Sequence, residues 1–135
     1  MATTYKVRYK NHCTPQEQIL TNGRYYLDSD CGRKLTGDCE TSQDMDATGN
    51  YEASKAVTAT ASECEIVTAG SNYQFVFIKN TGSTDIFVSI AGNTAAKFVI
   101  LLSEGEAFAS EINTATNVFV KTDSGTSTIE HYEAK

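Results

Sequence analysis

The sequence predicts an all-β protein: an antiparallel, jelly-roll-like β-sandwich over residues 65–135, preceded by an irregular strand, loop and arm region over 1–64. Three observations lead to this expectation. Apolar clusters in the second half are too short for helices, they recur at nearly regular intervals, and Gly, Asn, Asp and Ser fill the gaps between them. Short strands at that spacing mark a sandwich or barrel and not an alternation of strands and helices.

The strands are placed at 73–79, 86–90, 98–102, 107–112, 118–121 and 126–132, with 65–68 opening the sheet. Each separator contains residues that tolerate positive φ or bond their own backbone: Asn80-Thr81-Gly82-Ser83, Gly92-Asn93-Thr94, Ser103-Glu104-Gly105, Asn113-Thr114-Ala115 and Asp123-Ser124-Gly125. The stretch FVFIKNTGSTDIFVSIAG (75–92) therefore reads as a hairpin, but its strands are apolar on both faces. Phe75, Phe77, Ile86, Val88 and Ile90 are assigned to the inner face, and Val76, Ile78 and Phe87 to the other. The runs 98–102 and 118–120 repeat the pattern. A bare second apolar face is rare on soluble monomers. Residues 28–63 hold few large apolar side chains to cover it, so the expected cover is a second copy of the protein, with Tyr73, Phe87 and Phe119 at the oligomer interface.

Upstream, Tyr5, Val7 and Tyr9 alternate with Lys6, Arg8 and Lys10, which makes a strand with one aromatic and one basic face. Residues 14–27, TPQEQILTNGRYYL, support two structures. Thr14-Pro15-Gln16-Glu17 has the capping-box spacing of a short helix, whereas Asn22-Gly23 suits a two-residue hairpin turn. Residues 28–63 read as an extended loop or arm, with 52–63 as a linker or a short exposed helix.

A chain of 135 residues fits one domain. Its net charge of −6 argues against general nucleic-acid binding, which needs Lys and Arg in excess. The longest apolar run, Phe98-Val99-Ile100-Leu101-Leu102, is too short to cross a bilayer, so no membrane partner is expected. Charges in MATTYKVRYK stand where a secretory leader has its apolar region, which points to synthesis in a cytoplasm. Cys13, Cys31, Cys39 and Cys64 lack the close pairing of a zinc knuckle. Free thiols are favoured over disulfides closed later or a metal site.

Candidate chemistry is sparse. Asp44, Asp46 and Thr48, with Gly49 at the sixth position, begin a calcium-loop pattern, but Lys55 stands where the bidentate Glu belongs. A solvated acidic loop is the simpler reading. His12 adjoins Cys13, yet neighbours in an extended strand point to opposite faces. His131 has no nucleophile near it in sequence, and both histidines read as surface residues. Glu104-Gly105-Glu106 suits a hairpin turn better than a catalytic carboxylate pair. No phosphate loop, metalloprotease helix or serine-hydrolase elbow is present in the sequence. The expectation is a protein that is not an enzyme and carries no cofactor.

Three stretches, FVFIKNTGSTDIFVSI, ILLSEGEAFASEI and NVFVKTDSGTSTIEHYEA, resemble the C-terminal β-domain of small accessory virion proteins of tailed bacteriophages, capsid decoration (cement) proteins above all. The resemblance rests on Ile78-Lys79-Asn80 with Gly82, on the turn at 102–108 with Gly105-Glu106, and on 118–121 followed by Ser124-Gly125-Thr126; it covers residues 73–133. It implies a structural protein on the capsid exterior, made in the host cytoplasm, that binds the major capsid protein as a homo-oligomer, usually a trimer. Lys6, Arg8 and Lys10 are then the residues expected to dock on acidic capsid surface. A tail, fibre or baseplate module that meets glycans through loop-tip Tyr and Asn side chains is the alternative, and a small metal-dependent enzyme using the cysteines is a third reading.

Overall fold

The computed structural model describes residues 5–13, 15, 18–27, 35–45, 49–62, 64–113 and 115–135. The chain divides into two compact units, Lys6–Gln43 and a larger one made of Asp44–Lys135 together with Tyr5.

In the smaller unit β1 (Tyr5–Cys13) pairs with β4 (Gly37–Met45), and β2 (Gln18–Thr21) pairs with β3 (Arg24–Leu27). Asn22 (φ 52°) and Gly23 (φ 77°) both adopt positive φ, and Thr21 faces Arg24 across the turn. That is the type I′ geometry an Asn-Gly pair favours. Of the two structures open for 14–27, the hairpin is formed over 18–27.

The larger unit is a two-sheet antiparallel sandwich built from β5 (Asn50–Val57), β6 (Glu65–Val67), β7 (Phe75–Asn80), β8 (Ile86–Ser89), β9 (Ile100–Leu102), β10 (Ala107–Glu111), β11 (Val118–Thr122) and β12 (Ser127–Ala134). One sheet runs β5-β12-β7-β10 and the other β6-β11-β8-β9. The core between them is dominated by β-branched side chains, among them Val57, Val76, Ile78, Ile86, Val88, Val120 and Ile129. Such residues suit a pleated surface covered on one side.

Two expectations are corrected here. The polar stretch 28–63 is not all loop: β4 and β5 lie within it, and β5 is an edge strand of the sandwich paired with β12. The sandwich therefore takes in residues upstream of the expected 64/65 boundary, and 52–57 is strand instead of linker or helix. Its residues are largely exposed, so no apolar period announced it.

The second correction concerns 75–92. β7 pairs with β10 and β12, whereas β8 pairs with β9 and β11, so the two strands lie in opposite sheets and form no hairpin. The faces differ from expectation as well. Val76 and Ile78 belong to the core with Ile86 and Val88, which puts Phe75 and Phe77 on the outward side of β7. The turn at 103–106 likewise joins strands of different sheets. Glu106 N–H donates to the Ser103 carbonyl at 2.9 Å, Gly105 holds φ 82°, and the Glu106 carboxylate accepts from Ser103 N–H at 2.8 Å.

Asn80 decides this course. Fully buried at the end of β7, it donates through Nδ2 to the carbonyls of Thr84 and Leu102, each at 2.9 Å, and accepts through Oδ1 from Gly82 N–H at 3.1 Å and Ser127 Oγ at 2.9 Å. All four side-chain hydrogen-bonding positions are filled. Ser127 lies in its own sheet and Leu102 in the other, so one amide pins the crossover to both layers. Gly82 is required beside it, because a Cβ there would stand 2.2 Å from Ser127 Oγ.

Replacing Asn80 with Ala strands several buried partners at once and is expected to lower the unfolding free energy by roughly 3–4 kcal/mol. Asn80→Asp is expected to lose a comparable amount, because a carboxylate cannot donate to the Thr84 and Leu102 carbonyls. Urea denaturation of the two variants checks this.

Candidate functional site

The outward faces of the two sheets are covered unequally. On β11, Phe119 and Lys121 point away from the core that holds Val118 and Val120, and the register sets Lys121 beside Phe87 of β8. A short 3-10 turn, Ala95–Lys97, delivers Phe98 over this face, where Lys121 Nζ lies 5.2 Å from its ring centroid. Phe98 and Phe119 are both buried. Part of the cover expected from a second copy is thus supplied by the chain's own β8–β9 connection.

That cover stops at the sheet edge. Ile90, Val99 and Leu101 are 42%, 75% and 50% exposed around edge strand β9, and Leu101 faces half-buried Phe87 across the register. Ile90, expected on the inner face, lies just past the end of β8 and is exposed instead; Val99 and Leu101 are not among the interface residues named from sequence, although they sit in the run 98–102 whose second face needed cover. Of the expected interface residues, Phe87 borders this apolar edge and Phe119 is buried behind it. Tyr73 is elsewhere, half-buried, with Lys135 Nζ 5.0 Å from its ring centroid.

The outward face of the β5-β12-β7-β10 sheet carries Tyr51, Tyr132 and Phe77 in register across three strands. Tyr51 is exposed and donates its hydroxyl to Glu130 at 2.5 Å, which holds its proton and raises its pKa. Phe75 is buried, its ring 6.2 Å from that of Tyr132. Gly49 lies so close to Tyr132 that a Cβ would meet the ring at 2.3 Å.

At one end of the sandwich a depression of about 330 Å³ is lined by Ser83, Thr84, Asp85, Phe87, Asp123 and Ser124. Its two rims are fixed. Asn80 bonds the Thr84 carbonyl on one, and Thr122 Oγ1 donates to Gly125 O at 2.8 Å on the other.

In the smaller unit Lys6, Arg8 and Lys10 are exposed on β1 between buried Val7 and half-buried Tyr9, as a basic face requires. The row is not purely cationic, because Arg8 is bonded to Glu40 of β4. His12 is exposed and lies 3.7 Å from Asp38.

His131, expected at the surface, is buried at 4% exposure between two carboxylates. Nδ1 lies 2.6 Å from Glu133 and Nε2 lies 3.1 Å from Glu52. Burial opposes its charge, yet the bonds and charges of Glu133 and Glu52 prevail and raise its pKa. Burial foremost, with Glu52 and Glu133 adding to it against Lys55, pushes the Cys64 thiol up to about 11.

Of the calcium-loop residues, Asp46 and Thr48 lie outside the described residues, and Asp44 is placed only as part of β4. Among the described residues no group of three or more His, Cys, Asp or Glu is arranged to hold a metal. Cys13 and Cys64 are free thiols, the first exposed and the second buried. The side chains of Cys31 and Cys39 lie outside the described set. Comparison with family models, curated proteins and solved structures gave no match.

The contrast between the two thiols can be measured. Under native conditions Cys13 is expected to be alkylated on the order of a hundredfold faster than Cys64, whose thiolate fraction at neutral pH is very small. Peptide mapping by mass spectrometry after a timed iodoacetamide pulse distinguishes them, and Cys64 is expected to react once the protein is unfolded.

Proposed function

We propose that this chain is a non-catalytic structural protein of a tailed-bacteriophage particle, a capsid decoration protein that binds the assembled head as a homo-oligomer. The observation that carries this reading is strand order. Numbered along the chain, the eight sandwich strands lie 1-8-3-6 in one sheet and 2-7-4-5 in the other. This is the order expected of a jelly roll, an architecture that viral capsid and lectin domains use. The apolar edge at Ile90, Val99 and Leu101 supports self-association, because sister copies at that edge would remove it from water. A closed trimer is the proposed form. The basic face of β1 is proposed to meet acidic capsid surface, with Arg8 exchanging Glu40 for a partner carboxylate. Many copies on one lattice would multiply a weak individual contact.

A second reading, a tail or fibre module that binds glycans, is favoured by one feature, the rigid-rimmed depression with Phe87 among Asp85, Asp123, Ser83 and Ser124. Aromatic faces and paired polar side chains suit sugar rings. Binding on a glycan array by the purified protein, abolished by Asp85→Asn with Asp123→Asn, would favour that reading over the first.

Two outcomes are expected from the decoration reading. The Val99→Asp, Leu101→Asp double variant is expected to run as a monomer in multi-angle light scattering where the unaltered protein runs as an oligomer. Removing residues 1–11 is expected to abolish co-sedimentation with intact heads while leaving the oligomer in place. Equal mass for the first pair, or retained head binding after the deletion, contradicts the respective assignment.

A further inference from the structure

We infer that Glu52, His131 and Glu133 form a proton-dependent latch that holds edge strand β5 to β12 inside the sandwich. The inference does not depend on the proposed function. It begins with a break in strand register. β5 advances from Lys55 to Glu52 while β12 advances only from Ile129 to His131, so β5 carries a bulge. Beyond that bulge Glu52 faces His131 and Asn50 faces Glu133, on the side of the sheet that looks into the core.

The bonding follows the register. Glu133, fully buried, has one oxygen 2.6 Å from His131 Nδ1 and accepts from Asn50 Nδ2 on the other at 3.0 Å. Glu52 reaches His131 Nε2 from β5 at 3.1 Å, with about half of its side chain in water.

Counting protons gives the latch its direction. Carboxylates only accept, so two carboxylates on the two ring nitrogens need a proton in each bridge. A neutral imidazole has one N–H and can keep one of them. The buried Glu133 cannot leave, whereas half-exposed Glu52 can turn into solvent, so loss of the proton opens the bridge between strands. The other groups around the ring leave His131 as the titrating member in the neutral range. Ile78 of β7 lies opposite it and is apolar, and burial pushes the Cys64 thiol up to about 11, well above the neutral range. Lys55 of β5 is the nearby cation acting on the same end of the core.

The His131 pKa is raised by the bridges, so their stabilisation is complete below the unfolded value of about 6.5 and disappears as pH rises through the higher folded value. The latch is therefore closed at the lower pH and opens as pH rises through the folded value of His131.

Hydrogen exchange on the full chain tests this, with β5 amides compared with β7 amides in the same molecule and chemical exchange rates corrected for pH. Protection of β5 relative to β7 is expected to fall roughly tenfold as pH rises through the His131 titration, as loss of one charged hydrogen bond implies. Glu52→Gln is expected to abolish that fall, because a Gln amide can donate to neutral Nε2 and keep the strands joined. A β5 protection that ignores pH, an unchanged fall in Glu52→Gln, or an NMR titration placing His131 at or below 6.5 would each overturn the latch.

Discussion

The sandwich depends on one amide. Asn80 sits where β7 leaves its sheet, and its four hydrogen bonds join Gly82, Thr84, Ser127 and Leu102 in a single buried knot. Its backbone is equally committed, donating to Glu106 O at 2.9 Å and accepting from Gly105 N–H at 2.8 Å. The loops at 81–85 and 103–106 are therefore positioned from the same residue. A buried polar group so fully paired specifies geometry more sharply than apolar packing does, because any other path leaves donors or acceptors without partners. The crossover that sends β8 to the opposite sheet, and the rigid rim of the depression beside it, both follow from this knot.

Strand positions were legible because their signals are local. The Asn, Gly, Asp and Ser clusters stop each strand near where the structure does, and alternating Tyr5, Val7 and Tyr9 gave β1. Sheet membership was not legible, because a hairpin and an arch between sheets share the same pattern of apolar run, polar turn and apolar run. The distinction lies in Asn80 reaching Leu102 and Ser127, which no short window contains. β5 was missed for a related reason. Two of its inward residues, Asn50 and Glu52, are polar and answer to His131 and Glu133 some eighty positions away. The same distance hid His131, which taken alone resembles a solvent-facing residue.

The question raised by two-sided apolar strands has a divided answer. Phe98, carried by the β8–β9 connection, supplies an internal lid over one sheet, and the Gly49 main chain lies against Tyr132 on the other. Val99 and Leu101, immediately beyond that lid, remain in water. An edge strand with exposed apolar side chains invites association unless something covers it. In the proposed decoration protein sister copies provide that cover, and the exposed basic strand of the smaller unit contacts the shell.

Imaging the intact particle at high resolution by electron cryomicroscopy tests the proposed role most directly. The expected result is eight-stranded sandwich density on the outer surface of the head, repeated at symmetry-related sites, with Val99 and Leu101 between copies. Density confined to the tail, or none anywhere in the particle, would contradict it.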